Sequence, residues 1–317
     1  ERLLHPEKAT FAGPARVIPR EFPHLTVGTL DLELPAPVGR KKRMLAKADM
    51  DRLVDHILED ALAEPGNGTA MVRGGKRFAL SYKNAPLAEL PDDGPLPALK
   101  DKGVYLITGG FGGIGLTLAE ALIKRCGARL ALLSRSGLPP RDAWDTTLKN
   151  TPPTAALARR IKAVQALEAA GGEVLCVAAD VSNVEDIREA RATVEAAFGP
   201  INGVIHAAGH IDDAPIMAKD VTSIEDVFAP KIHGTQVLEE VFPDGDLDWL
   251  VLFASSSTAT APIGQVDYVA ANEYLNAYAK SRSGGATMVR AINWGIWADV
   301  GMAADAMEQR TGAAAPA

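Results

Sequence analysis

From residue 103 onward, short apolar runs alternate with longer amphipathic stretches. The apolar runs predict buried strands at 104–108, 129–134, 173–179, 203–206, 249–254 and 287–293. The intervening stretches, with apolar residues every three or four positions, predict helices at 114–125, 156–170, 184–198, 221–242 and 265–283. Apolar strands separated by helices form parallel sheets that are covered on both faces. The pattern therefore predicts an α/β fold with a doubly wound, Rossmann-like parallel sheet, whose ligand crevice lies at the carboxyl ends of the strands.

The first hundred residues follow a different pattern, with the elements of only half a nucleotide-binding fold. We expect strands at 15–18 and 25–34, an acidic amphipathic helix at 49–63, a hairpin at 70–82 that turns at Gly74-Gly75, and a linker at 87–99. The predicted domains are therefore 1–100, a partial, truncated Rossmann-like structural subdomain with its linker, and 101–317, a nucleotide-binding catalytic subdomain.

Two further segments are predicted to be irregular. Residues 137–154 are polar and contain prolines, which predicts a surface loop after the second strand of the larger sheet. The tail after Met302 is rich in alanine and predicts a frayed linker. Because the chain does not begin with Met, we expect it to be a segment of a longer polypeptide.

Composition and charge narrow the functional classes. The chain has 317 residues, of which 47% are hydrophobic, enough for a large core, and its formal net charge is −7. The acidic balance argues against nucleic acid or an anionic membrane as a general partner, and the basic run 40–43 predicts a solvated loop. No apolar run of 18 residues and no signal peptide is present in the sequence. Cys126 and Cys176 lie in apolar stretches and predict reduced, structural thiols, as in a cytoplasmic protein.

A glycine-rich turn follows the first strand of the larger unit. The segment YLITGGFGGIG places Gly110, Gly112 and Gly115 between a predicted strand and the opening of a predicted helix. Glycines at these places let the backbone approach a pyrophosphate, whose charge then lies at the helix N-terminus. The sequence thus predicts a dinucleotide site; the alternative is a tight turn without a ligand.

The end of the second strand indicates which dinucleotide would bind. An NAD site usually has an acidic residue there, but this chain has Arg135 between Ser134 and Ser136. Because a guanidinium suits a 2′-phosphate, the sequence favours NADPH; the alternative is an ordinary surface arginine. Asp180 after the third strand is a candidate partner of the adenine amine. His206, before Ala207-Ala208-Gly209, is better explained by structural hydrogen bonding than by catalysis.

Four side chains are candidates for proton transfer to a ketone oxygen. We expect Tyr268 to be the general acid and Ser255 to donate a hydrogen bond to that oxygen. Asn272 lies four residues after Tyr268, on the same helix face, and would order a proton relay. None of the five tyrosines has a Lys four residues later, so we expect Lys231 to supply the cation that lowers the phenol pKa. Each residue taken alone also fits an ordinary structural role.

These motifs resemble those of short-chain dehydrogenases/reductases. In most of that superfamily the fourth residue after the tyrosine is lysine; the exchange of Asn272 and Lys231 resembles the ketoreductase domains of modular type I polyketide synthases. The resemblance covers about 100–302, through LITGGFGGIG, VIHAAGHIDD, PKIHGTQVLEE, YVAANEYLNAYA and INWGIW. It implies a cofactor site formed by Thr108, Gly110, Phe111, Gly112, Gly113, Ile114, Gly115, Ser134, Arg135, Ser136, Asp180, Val181, Ala207, Ala208, Gly209, Asn293, Trp294 and Gly295.

The resemblance also implies a stereochemical outcome. His210 is followed by Ile211-Asp212-Asp213, which is similar to the Leu-Asp-Asp motif of B-type members, although a solvated acidic loop is the alternative. Thr260 stands where A-type members have Trp, and Ala270 where epimerising members have Pro. These positions imply a D-configured 3-hydroxyl, usually 3R, without epimerisation. Two further residues, Gln265 and Met302, are expected at the substrate.

The last strand ends in a segment with two tryptophans, Asn293-Trp294-Gly295-Ile296-Trp297. Its counterpart in the family covers the nicotinamide, and the following stretch to Met302 would be a mobile lid. Packing of both tryptophans against the sheet is an equally good explanation.

The sequence as a whole predicts an NADPH-dependent reductase of β-ketoacyl thioesters. Its substrate would be tethered to an acyl carrier protein, and its neighbours would be other domains of a synthase; no metal, nucleic acid or membrane is expected. One rival is a free-standing reductase of small ketones, disfavoured by the exchange of Lys231 and Asn272. The other is a redox-silent, cofactor-binding module of a synthase, disfavoured by the presence of Ser255, Tyr268 and Lys231.

Overall fold

The computed structural model describes residues 3–33, 43–87, 96–297 and 300–301. Its first part contains helix α1 (Ala12–Glu21), strand β1 (Thr29–Leu32), helix α2 (Arg43–Leu62) and the hairpin of β2 (Thr69–Arg73) and β3 (Lys76–Ala79). β1 pairs in parallel with β2, and β2 pairs antiparallel with β3. The helix and the hairpin predicted in this part are confirmed, and β1 lies inside the segment predicted as a strand. The domain boundary near residue 100 stays a prediction.

Six parallel strands form the larger sheet, in the order β6-β5-β4-β7-β8-β9. They are β4 (Val104–Thr108), β5 (Arg129–Ser134), β6 (Glu173–Ala178), β7 (Gly203–His206), β8 (Trp249–Ser255) and β9 (Met288–Trp294). Every predicted strand of this unit is confirmed to within one residue at each end. The chain runs outward from β4 through β5 to β6 and then returns to the other side of β4, so a crevice opens at the carboxyl ends of β4 and β7.

Helices cover both faces of this sheet. They are α3 (Gly113–Cys126), α4 (Trp144–Asn150), α5 (Ala156–Ala169), α6 (Val184–Phe198), α7 (Val221–Phe228), α8 (Gly234–Val241), α9 (Ser257–Thr260) and α10 (Val266–Ser281). All five residues of β4 are buried, and alternate side chains enter different cores. Leu106 packs in one core with residues of α6, α8 and α10, whereas Ile107 packs in the other with residues of α3 and α5. The alternation explains why the strand is apolar throughout.

Three predicted segments are wrong in part. Residues 15–18 lie inside α1 rather than in a strand, because Gly13 and Val17, four positions apart, face α10. The predicted loop 137–154 contains α4, which is held by the buried Trp144. The predicted helix 221–242 is divided by a π-helical turn, Ala229–His233. Pro230 lies in that turn and, having no N–H, cannot continue the α-helical hydrogen bonding.

The start of the chain packs against α10. Val17 is fully buried and forms a small core with Ala261 and Val269. The Arg16 guanidinium pairs with Glu273 on α10 and donates to the Thr258 carbonyl. Helix α1 therefore supports the part of the fold that carries Tyr268.

Neither a membrane span nor a metal site is found among the described residues. No helix there is long and apolar enough to cross a membrane. In the same residues no group of His, Cys, Asp and Glu is arranged to hold a metal ion. Residues 40–42 of the basic run and most of the predicted linker 87–99 lie outside the described ranges, whereas Arg43 begins α2.

Candidate active site

The turn between β4 and α3 forms one wall of the crevice. Gly109 lies in the left-handed region (φ +64°), where a side chain would be strained, and a Cβ there would approach Ala208 Cα to 2.8 Å. Helix α3 begins at Gly113, with Gly112 as its N-cap. The backbone N–H groups of this first turn are available to an anion. The glycine cradle fits a pyrophosphate.

Gly110 and Phe111 have different surroundings from those predicted. A Cβ on Gly110 would lie 2.8 Å from the Ile107 carbonyl oxygen, so this glycine lets the turn pack on the sheet and does not line the crevice. Phe111 packs against the core shared with α3 and α5. Gly109, which the sequence analysis did not select, takes the place at the crevice wall.

The crevice is one continuous cavity of about 690 Å³. It brings together most of the predicted cofactor residues: Thr108, Gly112, Gly113, Ile114, Gly115, Ser134, Arg135, Ser136, Asp180, Val181, Ala207, Ala208, Gly209, Trp294 and Gly295. Its other end is lined by Ile211, Lys231, Ser255, Gln265 and Tyr268. A ligand bound at the glycine turn can therefore extend to the tyrosine without crossing protein.

Two arginines lie at the end of the cavity beyond β5. Arg135 is exposed and close to Asp180, and Arg160 projects from α5 with its guanidinium 5.6 Å from the centre of the Phe111 ring. Although burial raises the pKa of Asp180, hydrogen bonds from Ser182 and the charge of Arg135 hold it below its usual value. The Asp180 Oδ1 atom accepts from both the Ser182 N–H (2.9 Å) and its hydroxyl (2.6 Å). This end is cationic and suits a phosphate.

Lys231 lies on the π-helical turn and points into the protein. Its exposed fraction is 3%, and its ammonium donates to the Phe253 carbonyl at 2.8 Å. The Nζ atom is 5.4 Å from the centre of the Tyr268 ring. Burial lowers the pKa of Lys231 to about 7. The amine is therefore beside the phenol, and it can gain or lose a proton near neutral pH.

Tyr268 lies in the first turn of α10 and is 8% exposed. Burial raises the pKa of its phenol, hydrogen bonding to Ser255 and Asn272 lowers it in part, and the charge of Asp213 raises it further. Burial is the largest influence on this pKa, and the expectation that Lys231 lowers it stays a prediction. Ser255 ends β8, and its hydroxyl accepts the Ser257 N–H at 3.1 Å. Asn272 is fully buried and donates to the Tyr268 carbonyl at 2.7 Å.

His206 has a structural position between the two ends of the cavity. Its Nδ1 atom lies 2.7 Å from the Thr108 hydroxyl, and the ring is 1% exposed. Burial, reinforced by the charge of Lys231, lowers the pKa of His206 to about 3. The imidazole is therefore neutral at physiological pH, and it does not line the cavity.

Residues 211–213, called the acidic loop below, lie beside the start of α10 at one end of the cavity. The Asp213 carboxylate accepts from the Gln265 amide at 3.2 Å. Asp212 is exposed, and its backbone carbonyl accepts from the Lys219 ammonium. Ile211 lines the cavity itself.

The segment after β9 closes over the glycine turn. Trp294 packs edge-on against Phe253, with ring centres 5.4 Å apart, and against Trp297, with ring centres 5.2 Å apart. A Cβ on Gly113 would lie 2.7 Å from Val300 Cβ, so residues 300–301 cover the start of α3. Asn293 faces Thr258 and Asn276 instead of the cavity. Met302 lies outside the described residues.

Besides Gly109, three residues around this site were not predicted from the sequence. Arg160 lies 25 positions after Arg135, and nothing in its local sequence distinguishes it from the adjacent Arg159. Lys219 and Asp267 form a buried ion pair next to Tyr268, at 2.7 Å, although they are 48 positions apart. Only the folded chain brings Arg160 to the crevice and Lys219 to Asp267.

Comparisons with known proteins show the family of this chain. The KR domain family matches residues 103–299. The chain is 33% identical over 313 residues to 6-methylsalicylic acid synthase of Aspergillus terreus, covering 96% of this chain and 16% of that protein. It is 36% identical over 295 residues to one polypeptide of the phenolphthiocerol/phthiocerol polyketide synthase of Mycobacterium tuberculosis, covering 93% of this chain and 15% of that protein. The chain thus spans about one sixth of the length of these relatives.

Solved structures show the same fold. An A1-type ketoreductase matches with a TM-score of 0.74 and 29% identity, covering 96% of this chain and 57% of that one. A ketoreductase domain from the bacillaene assembly line matches with a TM-score of 0.70 and 26% identity, covering 98% and 68%.

Proposed function

Because the chain belongs to the KR domain family, the ketoreductases of polyketide synthases, we propose that it reduces the β-keto group of an acyl thioester with NADPH. The observation that carries the proposal is the single cavity that joins the glycine turn to Tyr268, with the Lys231 ammonium 5.4 Å from the centre of its ring. A redox-silent module would have no need of a buried lysine beside a buried tyrosine.

The cofactor is proposed to be NADPH rather than NADH. Members of this family use a pyridine nucleotide, and the glycine turn and helix N-terminus of α3 would hold its pyrophosphate. Arg135 and Arg160 would hold the 2′-phosphate, since both line the cavity near Ser134 and Ser136. When bound, the cofactor supplies a hydride to the carbonyl carbon.

The side chains around the carbonyl oxygen would complete the reduction. Because burial raises the pKa of Tyr268, the phenol is protonated at neutral pH and can act as the acid. The Ser255 hydroxyl would donate a hydrogen bond to the same oxygen. As the phenol gives up its proton, the nearby Lys231 favours the resulting anion, and that anion in turn favours the protonated amine. Asn272 would order the proton relay that returns a proton to the Tyr268 phenol.

The substrate is proposed to be a β-ketoacyl chain on an acyl carrier protein, and the product a D-configured alcohol, usually 3R, without epimerisation. The relatives are synthases far longer than this chain, which supports a substrate delivered within a larger assembly. Ile211 lines the cavity, and Asp213 contacts Gln265, which also lines it; both observations support a role of the acidic motif in orienting the substrate. The B-type assignment is based on this motif and on Thr260, which stands where A-type members have Trp.

Turnover with a small surrogate tests the proposal. We expect the chain to consume NADPH in the presence of a diketide β-ketoacyl thioester and to form one equivalent of the β-hydroxy thioester. Binding of NADPH without product would indicate the redox-silent module instead. Chiral chromatography of the product then tests the stereochemistry: a mainly L-configured alcohol would contradict the role of Ile211-Asp212-Asp213.

A further inference from the structure

A buried ion pair lies directly beside the proposed catalytic tyrosine. The Lys219 ammonium is 2.7 Å from the Asp267 Oδ2 atom, and both side chains are 2% exposed. Asp267 is the residue before Tyr268 and lies in the first turn of α10. Its other oxygen, Oδ1, accepts the Tyr268 N–H at 2.8 Å. One carboxylate therefore contacts both the lysine and the backbone of the tyrosine.

The same ammonium also holds the acidic loop. Lys219 Nζ donates to the Asp212 carbonyl oxygen, and it is 4.0 Å from the Asp212 carboxylate. Lys219 stands one position before Asp220, whose side chain caps α7, the helix that leads into the turn with Lys231. Lys219 therefore joins the acidic loop to the helices that carry Tyr268 and Lys231.

The other hydrogen bonds between the acidic loop and the start of α10 are not ion pairs. The Gln265 amide donates to Asp213 at 3.2 Å on an exposed surface, and the Ala214 N–H donates to the Gly264 carbonyl at 3.0 Å. Neither bond joins two opposite charges. Desolvating two charges offsets most of the attraction between them, so a pair this deeply buried contributes little to stability compared with apolar residues of the same volume. The main effect of the Lys219–Asp267 pair is therefore expected on the position of the acidic loop.

We propose that the Lys219–Asp267 ion pair fixes the acidic loop, 211–213, against the start of α10 and thereby determines which face of the ketone is presented for reduction. The inference rests on the proposed function and deepens it. Lys219 and Asp267 are positioning residues, since they act through the loop and through Tyr268. Loosening the loop should let the substrate bind in both orientations, which mixes the two alcohol products.

The test uses a variant in which neither charge remains, Lys219→Met together with Asp267→Asn. Removing both charges avoids leaving one of them buried and unpaired, and the asparagine keeps an oxygen for the Tyr268 N–H. With NADPH and the diketide thioester, we expect the ratio of D to L alcohol and kcat/KM each to fall about tenfold, as for a misplaced substrate. The dissociation constant for NADPH, measured by fluorescence, should stay within about twofold, because the glycine turn is untouched.

The control is a second ion pair on the same helix. Arg16→Met with Glu273→Gln removes the pair between α1 and α10, whose bonds go to Thr258, to Asn276 and to each other rather than to residues 211–213. It should lower thermal stability and leave the D to L ratio unchanged. Wild-type activity is measured first. An inactive wild type contradicts the proposed function. If the wild type is active, the proposed function stands, and the variants then test the positioning role alone. An unchanged ratio in the Lys219/Asp267 variant, or an equal fall in the control, would overturn the inference.

Discussion

At the scale of single residues, burial shifts the pKa values of Tyr268 and Lys231, the two titratable groups of the proposed proton transfer, in opposite directions. It raises the pKa of the Tyr268 phenol and lowers that of the Lys231 amine to about 7, because the charged form of each is disfavoured away from water. The phenol is thus held in the form that can donate. Because the pKa of the Lys231 amine is close to neutral pH, a nearby negative charge is enough to keep the amine protonated.

The two arginines at the far end of the cavity give the first prediction. Arg160→Gln should raise the KM for NADPH roughly tenfold, as loss of about 1.4 kcal/mol of phosphate binding requires, and should change the KM for NADH less than twofold. Arg135→Ala should show the same selectivity. Steady-state kinetics with both cofactors measures it.

Arg159→Gln is the matched control, since that side chain is exposed, stands next to Arg160 and does not line the cavity. If either Arg135→Ala or Arg160→Gln affects both cofactors equally, the arginine removed in that variant does not bind the 2′-phosphate.

Sequence alone finds the residues that belong to motifs and misses those that meet only in the fold. Ser255 and Tyr268 could be predicted because each follows a recognisable strand or begins a recognisable helix. The Lys219–Asp267 pair had no such signal, because an isolated lysine in a polar segment is ordinary until folding buries it.

At the scale of elements, α1 packs closely against the part of α10 that carries Tyr268. A Cβ on Gly13 would overlap the Val266 carbonyl oxygen and come within 2.7 Å of Ala270 Cβ. Val266 lies two residues before Tyr268, and Ala270 lies two residues after it. The two helices therefore touch through backbone.

A methyl group at this contact gives the second prediction. Gly13→Ala should destabilise the fold by about 1–3 kcal/mol, as overpacking does, and should lower kcat by shifting the first turn of α10. Thermal unfolding and steady-state kinetics measure the two effects. Gly66→Ala, where a Cβ meets nothing within 4 Å, should change neither. A fully stable, fully active Gly13→Ala variant would show that α1 does not position the tyrosine.

The elements also show where sequence patterns fail. Strands of the larger sheet were predictable because both faces are buried, which leaves continuous apolar runs. Helix α1 was not predictable, because its short apolar stretch is flanked by prolines. Its helical periodicity is recognised only when the residues that contact α10 are known. The π-helical turn could not be located either, although Pro230 is its visible cause.

At the scale of the whole molecule, the buried lysine makes stability depend on pH. The pKa of Lys231 is about 7 in the folded protein, against an ordinary value of 10.5. Between these values the unfolded chain holds a proton that the folded protein lacks, so stability rises with pH across this window.

Lys231→Met tests this as the third prediction. It should reduce the slope of the unfolding free energy between about pH 7.5 and 9.5 by up to about 1.4 kcal/mol per pH unit, the value for one proton. Denaturant titrations at several pH values measure the slope. Lys280→Met, at an exposed position on α10, should leave it unchanged. If the Lys231→Met slope equals that of the wild type, the amine is not buried in solution.

The proposed reduction depends most directly on the phenol. Tyr268→Phe should lose at least about a hundredfold in the single-turnover rate of NADPH oxidation with a β-ketoacyl thioester, since it removes the general acid, while the dissociation constant for NADPH is unchanged. Tyr278→Phe, which removes another buried hydroxyl from the same helix, should keep the wild-type rate. A Tyr268→Phe rate close to that of the wild type would contradict the assignment of the proton to this residue.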